Sequence, residues 1–271
     1  MERDFGASQS FNVNPLRAMR NPTPSQMAER KRSTIRFGRT EDAYDGFGDF
    51  LKNVIAEHEF TRILDVGGGA QPMFSVPYIQ ERKIDYTVLD ISAEELALAP
   101  KEHKKLVMDI SESGAVFDEQ YDFVFSRFMA EHVKDASRLH CNIFNGLLPG
   151  GMAVHFFPTV FAIPFVVNWL LPEWLAILLL PKARRERGKF AAYYKWCVGP
   201  SRRAIERYER LGYEVIEYSG FFGHGYYDSI PLLRGLHSKV RGILLRRPIA
   251  AFTSFAWVVL RKPILAPESA E

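Results

Sequence analysis

The chain has 271 residues, of which 47% are hydrophobic, 25% charged and 13% aromatic. It is too apolar and too aromatic for a disordered chain, and it carries no collagen-like or low-complexity bias. Its formal net charge of +3 is too small to indicate nucleic acid by itself. Its two cysteines, Cys141 and Cys197, have no metal-like spacing, so neither a disulfide scaffold nor a metal site is expected, and unpaired thiols fit a reducing cytoplasm.

The charges are unevenly placed. Residues 1–40 hold eight Lys/Arg against three acids, and residues 229–262 hold seven Lys/Arg and no acid. Such asymmetry suits an anionic partner, either nucleic acid or a membrane surface, or else a solvated basic face. Residues 1–40, rich in Asn, Pro, Ser and Arg, read as a basic N-terminal arm, and residues 41–271 as one domain. The first residues lack the apolar stretch of a secretory signal.

In chain order, the spacing of Phe47, Phe50, Leu51, Val54 and Ile55 predicts an amphipathic helix over 41–59. Arg62–Val66 predicts a strand, followed by the glycine-rich turn Gly67-Gly68-Gly69. Further strands are expected at Tyr86–Leu89, Lys105–Met108, Tyr121–Phe125 and Met152–Phe157. A helix over Ala136–Leu148 is expected to stop at Pro149-Gly150-Gly151. Strands alternating with helices imply right-handed βαβ units and a parallel sheet. That rhythm breaks at an insertion over 158–200. A helix over Ser201–Leu211, a strand over Tyr213–Tyr218, a second insertion over 220–248 and a last strand over Ala251–Leu260 follow. Two late strands joined by a long excursion can pair antiparallel at a sheet edge.

Three features carry chemistry. The first is the strand that ends in Asp65 and runs at once into Gly67, Gly68 and Gly69. Glycines there allow a tight turn and close approach of the backbone to a ligand. A P-loop is excluded, because no Gly-Lys-Ser/Thr follows, and Pro72 stands where the third glycine of a dinucleotide fingerprint would be. The second is Asp90, ending the next strand, where a carboxylate can accept from both hydroxyls of a ribose. The third is Asp109, ending the strand after that, which can meet an adenine edge or cap the following turn.

Together LDVGGG, VLD, MDIS, YDFVFSRFMAEHV and LLPGGMAVHFFPT resemble the class I S-adenosylmethionine-dependent methyltransferases of the type 11 kind, over about residues 60–160. The resemblance implies a Rossmann-like, doubly wound α/β fold. Its sheet is a mostly parallel, seven-stranded one with an antiparallel last strand, and the insertions follow strands five and six. It implies S-adenosylmethionine as cofactor. Asp65, Gly67, Gly68 and Gly69 would lie at its methionine part, Asp90 and Ile91 at the ribose, Asp109 and Ile110 at the adenine, and Ser126 near the methionine end. A nicotinamide oxidoreductase is the rival for such a glycine turn, but the Tyr-x-x-x-Lys set after strand four is absent.

Methyl transfer from a sulfonium needs the acceptor held in line, and a general base where the acceptor is a hydroxyl or a protonated amine. His132, after strand four, is the candidate base; His155 lies inside strand five and suits a core position equally. Tyr193 and Tyr194 in the first insertion, and His224 and Tyr226 in the second, are candidates for the substrate pocket. The first insertion also sets the apolar, Trp-containing run from Trp169 to Leu180 beside five Lys/Arg between Lys182 and Lys189. That pattern suits peripheral contact through 169–189 with the inner face of a membrane, an active-site lid, or a dimer contact. Four prolines argue against a simple membrane span. Expected acceptors are therefore a lipid, a lipid-linked glycan or a small molecule. A soluble metabolite under a lid, and a non-catalytic module of the same fold, are the alternatives. Nucleic acid is disfavoured, since strand four ends in FSRF and lacks the Pro-Pro-Tyr type of motif used on base amines.

Overall fold

The computed structural model describes residues 33–117, 119–160, 191–224 and 231–264. The N-terminal arm up to residue 32, the run 169–189 and Tyr226 lie outside the described residues.

Short apolar runs such as RILDV and DYTVLD are buried at almost every position, which is the mark of strands covered on both faces. They form the centre of an eight-stranded sheet: β1 (Thr34–Arg39), β2 (Arg62–Val66), β3 (Asp85–Asp90), β4 (Lys104–Val107), β5 (Tyr121–Arg127), β6 (Leu147–Pro158), β7 (Glu214–Phe222) and β8 (Phe255–Arg261). The order across the sheet is β1-β7-β8-β6-β5-β2-β3-β4. All neighbours pair parallel except β8, which runs antiparallel to both β6 and β7. The chain winds outward from β2 through β3 to β4, then returns to the other side of β2 as β5. The loops after β2 and β5 therefore diverge, and the crevice between them is where open α/β sheets bind ligands.

Helices cover both faces. On one, α1 (Thr40–His58), α2 (Val76–Glu81) and α3 (Ala93–Leu98) bury Phe47, Leu51, Ile79 and Leu96 against Ile63, Val88, Phe123 and Phe125. On the other, α4 (Ala136–Gly146) and α5 (Arg202–Arg210) bury Leu139, Ile143, Ile205 and Tyr208 against Leu64, Val124, Ala153 and Val258. A further helix, α6 (Pro231–Arg246), lies in the β7–β8 connection.

The expected doubly wound sheet and antiparallel last strand are present, with differences. The sheet has eight strands rather than seven, because Thr34–Arg39, read as part of the arm, pairs parallel with β7. Its sequence, TIRFGR, is short, Arg-rich and mostly exposed, so it has no apolar alternation to reveal it. It is made a strand by its partner: Phe37 stacks on Phe222 at 5.6 Å and Arg36 meets Glu217 at 3.3 Å. The late antiparallel pair is consequently one strand in from the edge. Pro149-Gly150-Gly151 does not stop α4. The helix ends at Gly146, and these residues form an irregular stretch of β6, where the register against β5 shifts and Gly150 N–H donates to Lys262 O at 2.8 Å.

Phe156, fully buried in β6, packs against Phe47, Phe128, Phe255 and Trp257 at ring distances of 4.7–6.1 Å. Its replacement by alanine is expected to lower unfolding free energy by about 3–5 kcal/mol, read from the midpoint of urea denaturation followed by circular dichroism.

Candidate active site

The site is built at the carboxyl ends of β2, β3 and β5. After Val66 the chain turns through Gly67 (φ +77°) and Gly69 (φ +44°), left-handed positions that cost glycine least. Gly67 N–H donates to Leu89 O at 2.7 Å, and Gln71 N–H closes the turn on Gly68 O at 3.0 Å. There is no room for side chains. A Cβ on Gly67 would lie 2.5 Å from Met129 Cγ in the loop after β5, and one on Gly68 would lie 2.7 Å from Val88 Cγ1.

Asp65 fixes this turn from below. Its carboxyl is 3% exposed; Oδ2 accepts from the Tyr86 hydroxyl at 2.6 Å and from Met73 N–H at 2.9 Å. Burial pushes the carboxyl up to about 6, against the pull of those two donors, and pushes the Tyr86 phenol up as well. Asp65 thus shapes the turn through Tyr86 and Met73.

Asp90 comes to the same place from β3. Its Oδ1 accepts from Ser92 N–H at 3.0 Å, which leaves the α3 cap to Ser92, whose hydroxyl accepts from Glu95 N–H. Its Oδ2 lies 3.1 Å from where a Gly69 Cβ would be. A carboxylate is therefore set against a bare backbone turn, a combination that fits a ribose held beside a chain too close for side chains. Ile91 follows on the exposed rim. Asp109 Oδ1 accepts from Ser111 N–H at 2.8 Å and Ser111 Oγ at 2.7 Å, so it holds its own turn together at the end of β4. The Ile110 side chain is buried in the core and its carbonyl accepts from Asn142 Nδ2 at 2.7 Å. Ser126 is fully buried, bonded at 2.8 Å to His155 Nδ1. Ile110 and Ser126 are both buried, and Ser126 is registered beside Val66, the residue that precedes the glycine turn. His155 is a core residue, held neutral by burial, which lowers it to about 3.

The residues from 64 to 155 match the family model described as a methyltransferase domain. This segment, 92 of the chain's 271 residues, is a methyltransferase domain. No curated protein matches the chain in sequence. Among solved structures, it is similar to an S-adenosylmethionine-dependent methyltransferase from Mesorhizobium loti at 17% identity and TM-score 0.47, over 74% of this chain and 90% of that one. It is similar to one from Clostridium acetobutylicum at 13% and 0.48, over 81% and 92%. It is also similar to phosphoethanolamine N-methyltransferase 2 of Haemonchus contortus at 19% and 0.46, over 79% of this chain and 53% of that one.

The loop after β5 gathers residues of the first insertion around it. A single turn, Ala130–His132, carries Glu131, whose carbonyl accepts from both Tyr193 N–H (2.7 Å) and Tyr194 N–H (3.1 Å). His132 Nδ1 lies 3.0 Å from Ala191 O, and its Nε2 lies 3.8 Å from Glu131 Oε1. His132, Tyr193 and Tyr194 are thereby brought together. His224 follows β7, its ring 4.1 Å from that of His237 and tilted 31° to it.

Several site features were not anticipated from sequence. Phe128, in a left-handed conformation at φ +56°, turns the chain after β5 and packs on Tyr44 at 5.2 Å; nothing in FSRFMAEHV announces that backbone. Tyr44, half-exposed, forms an aromatic wall with Phe128, Phe156 and Phe255. Glu131 is 4% exposed, and burial raises its carboxyl to about 8.

Replacing Asp90 by alanine removes charge-assisted hydrogen bonds, and is expected to weaken S-adenosylmethionine binding by about 1.5–3 kcal/mol, some ten- to a hundredfold, in calorimetric titration. The folded chain holds a proton on Glu131 that the unfolded chain gives up above its ordinary value of 4.5. Burial at this position therefore costs stability increasingly as pH rises from 4.5 toward 8. Glu131→Gln removes that cost, so the variant's advantage over the parent in unfolding free energy should grow by up to about 4 kcal/mol across that window. A difference flat in pH would show that Glu131 is not buried as a neutral acid.

Proposed function

We propose that this methyltransferase acts on an acceptor presented at a membrane, a lipid or a lipid-linked glycan. The observation that carries the reading is where the first insertion is rooted. It leaves the sheet at the carboxyl end of β6, where Val160 N–H donates to Cys197 O at 2.9 Å. It returns through Tyr193 and Tyr194, which are tied to Glu131 in the loop after β5. The segment between these roots has the apolar and basic composition of an interfacial element. Among the described residues, no helix is long and apolar enough to cross a membrane.

When bound, S-adenosylmethionine supplies a methyl group on a sulfonium, already activated for displacement. What the chain must do is bind, align and exclude water. The Gly67–Gly69 backbone would admit the methionine part closely, and Asp90 would accept from the ribose hydroxyls. The wall of Tyr44 and Phe128 covers the side of the crevice toward α1. His132 is assigned as the base for a protic acceptor: donation from Nδ1 to Ala191 O favours the tautomer whose Nε2 takes up a proton. Tyr193 and Tyr194 border the acceptor.

The test is incubation of the full chain with methyl-labelled S-adenosylmethionine and, separately, the lipid extract and the aqueous extract of cells. Label in the lipid fraction, lost in Asp90→Ala, is the expected result. Label confined to water-soluble products would overturn the membrane reading in favour of a soluble metabolite. A histidine variant, His132→Asn, should lower turnover by about a hundredfold while leaving cofactor affinity unchanged.

A further inference from the structure

The second excursion from the sheet has its own surface chemistry. Because β8 is antiparallel to β7, the connection between them begins and ends at the same end of the sheet, the carboxyl end of the parallel strands. That is the end that carries Gly67–Gly69 and Asp90. Within this connection lies α6, described with side chains from Arg234.

The inward side of α6 is fixed by three contacts. Leu244 is buried, the His237 ring lies on His224, and Arg241 Nη1 meets Glu41 Oε1 of α1 at 2.6 Å. One lateral flank is apolar and open. Leu236 and Ile243 are 60% and 63% exposed. Being seven residues apart, they stand almost in line along the helix. Lys239 and Arg246, also seven apart and exposed, form a second row beside them, with exposed Arg247 just beyond the helix end. Ile249 and Phe252 are exposed in the turn that follows. No acid occurs between residues 229 and 262, so this stretch of sequence supplies cations without counter-charges of its own.

An apolar row flanked by a basic row on one open helix flank has the layout of a helix lying in a lipid headgroup layer. An acidic protein would match the cations, yet it would leave the exposed aliphatic row to water. We propose that this flank of α6, with Ile249 and Phe252, seats the carboxyl-end rim of the methyltransferase on an anionic lipid surface. The inference deepens the membrane-proximal reading of the acceptor and rests on it only for its purpose.

The experiment is vesicle sedimentation of the full chain with phosphatidylcholine vesicles and with mixed phosphatidylcholine–phosphatidylglycerol vesicles. The variants are the pairs Leu236→Ser/Ile243→Ser and Lys239→Glu/Arg246→Glu, with S-adenosylmethionine titration as the control for folding. Each cation near such a surface is worth about fivefold in partitioning. Binding is expected on the mixed vesicles, and each variant pair should reduce it at least tenfold while cofactor affinity stays unchanged. Equal partitioning of variants and parent would overturn the assignment of α6 while leaving a membrane-proximal acceptor standing, since residues 169–189 could then hold the surface. Failure of the parent itself to bind would overturn it too, and the separate lipid-labelling assay would then decide the acceptor alone. A change in sedimentation coefficient of either variant pair without vesicles would identify the occupant as a second copy of the chain, which also overturns the proposal.

Discussion

The buried carboxyl of Asp65 is the point on which the cofactor end of this protein depends. One oxygen accepts from the Tyr86 hydroxyl in β3 and from Met73 N–H beyond the glycine turn. It thereby ties β2, β3 and the far side of the turn into one unit. A buried carboxyl without those partners would cost several kcal/mol; with them, the turn is held without any ligand present. Everything downstream follows from its position: Gly67 against Met129, Gly69 against Asp90, and the crevice between the loops after β2 and β5. The acid at the head of the glycine motif thus holds the framework of the turn.

Much of this was legible in the sequence, and the reason is burial. The central strands are covered on both faces, so their apolar runs stand out, and Arg62–Val66 is predicted and found with the same ends. The helix starts were legible where a side chain caps them, as at Ser201, which accepts from Ala204 N–H. The order of Asp65, the glycines and Asp90 also sufficed to indicate the cofactor. What escaped lies where a partner rather than the local sequence decides. TIRFGR becomes a strand only because β7 offers it a ladder, and Pro149-Gly150-Gly151 stays in the sheet because β8 and Lys262 hold it there. The bond between Ser126 and His155 joins two strands, β5 and β6, and no local pattern announces it. The positive φ of Phe128 could not be read at all, since a phenylalanine gives no hint of it.

The loop after β5 is assembled differently from the glycine turn. It depends on backbone carbonyls, above all Glu131 O receiving two amides from the returning insertion. Such anchors do not depend on side-chain identity, which is why the sequence named Tyr193 and Tyr194 as candidates without showing what holds them. Glu131 itself adds a buried carboxyl, raised by burial, beside the candidate base His132.

The lone antiparallel strand has a consequence for how this enzyme can diversify. β8 is registered against β6 and β7 along its whole length, from Phe255 to Arg261. Its place in the sheet is therefore independent of how long the preceding connection is. Doubling such an excursion costs only about 0.6 kcal/mol in closure entropy, far less than moving a strand. Whole excursions at one end of the sheet can accordingly be exchanged without moving a strand. The glycine turn and Asp90, built on β2 and β3 at the other side of the sheet, would keep the same cofactor through every exchange.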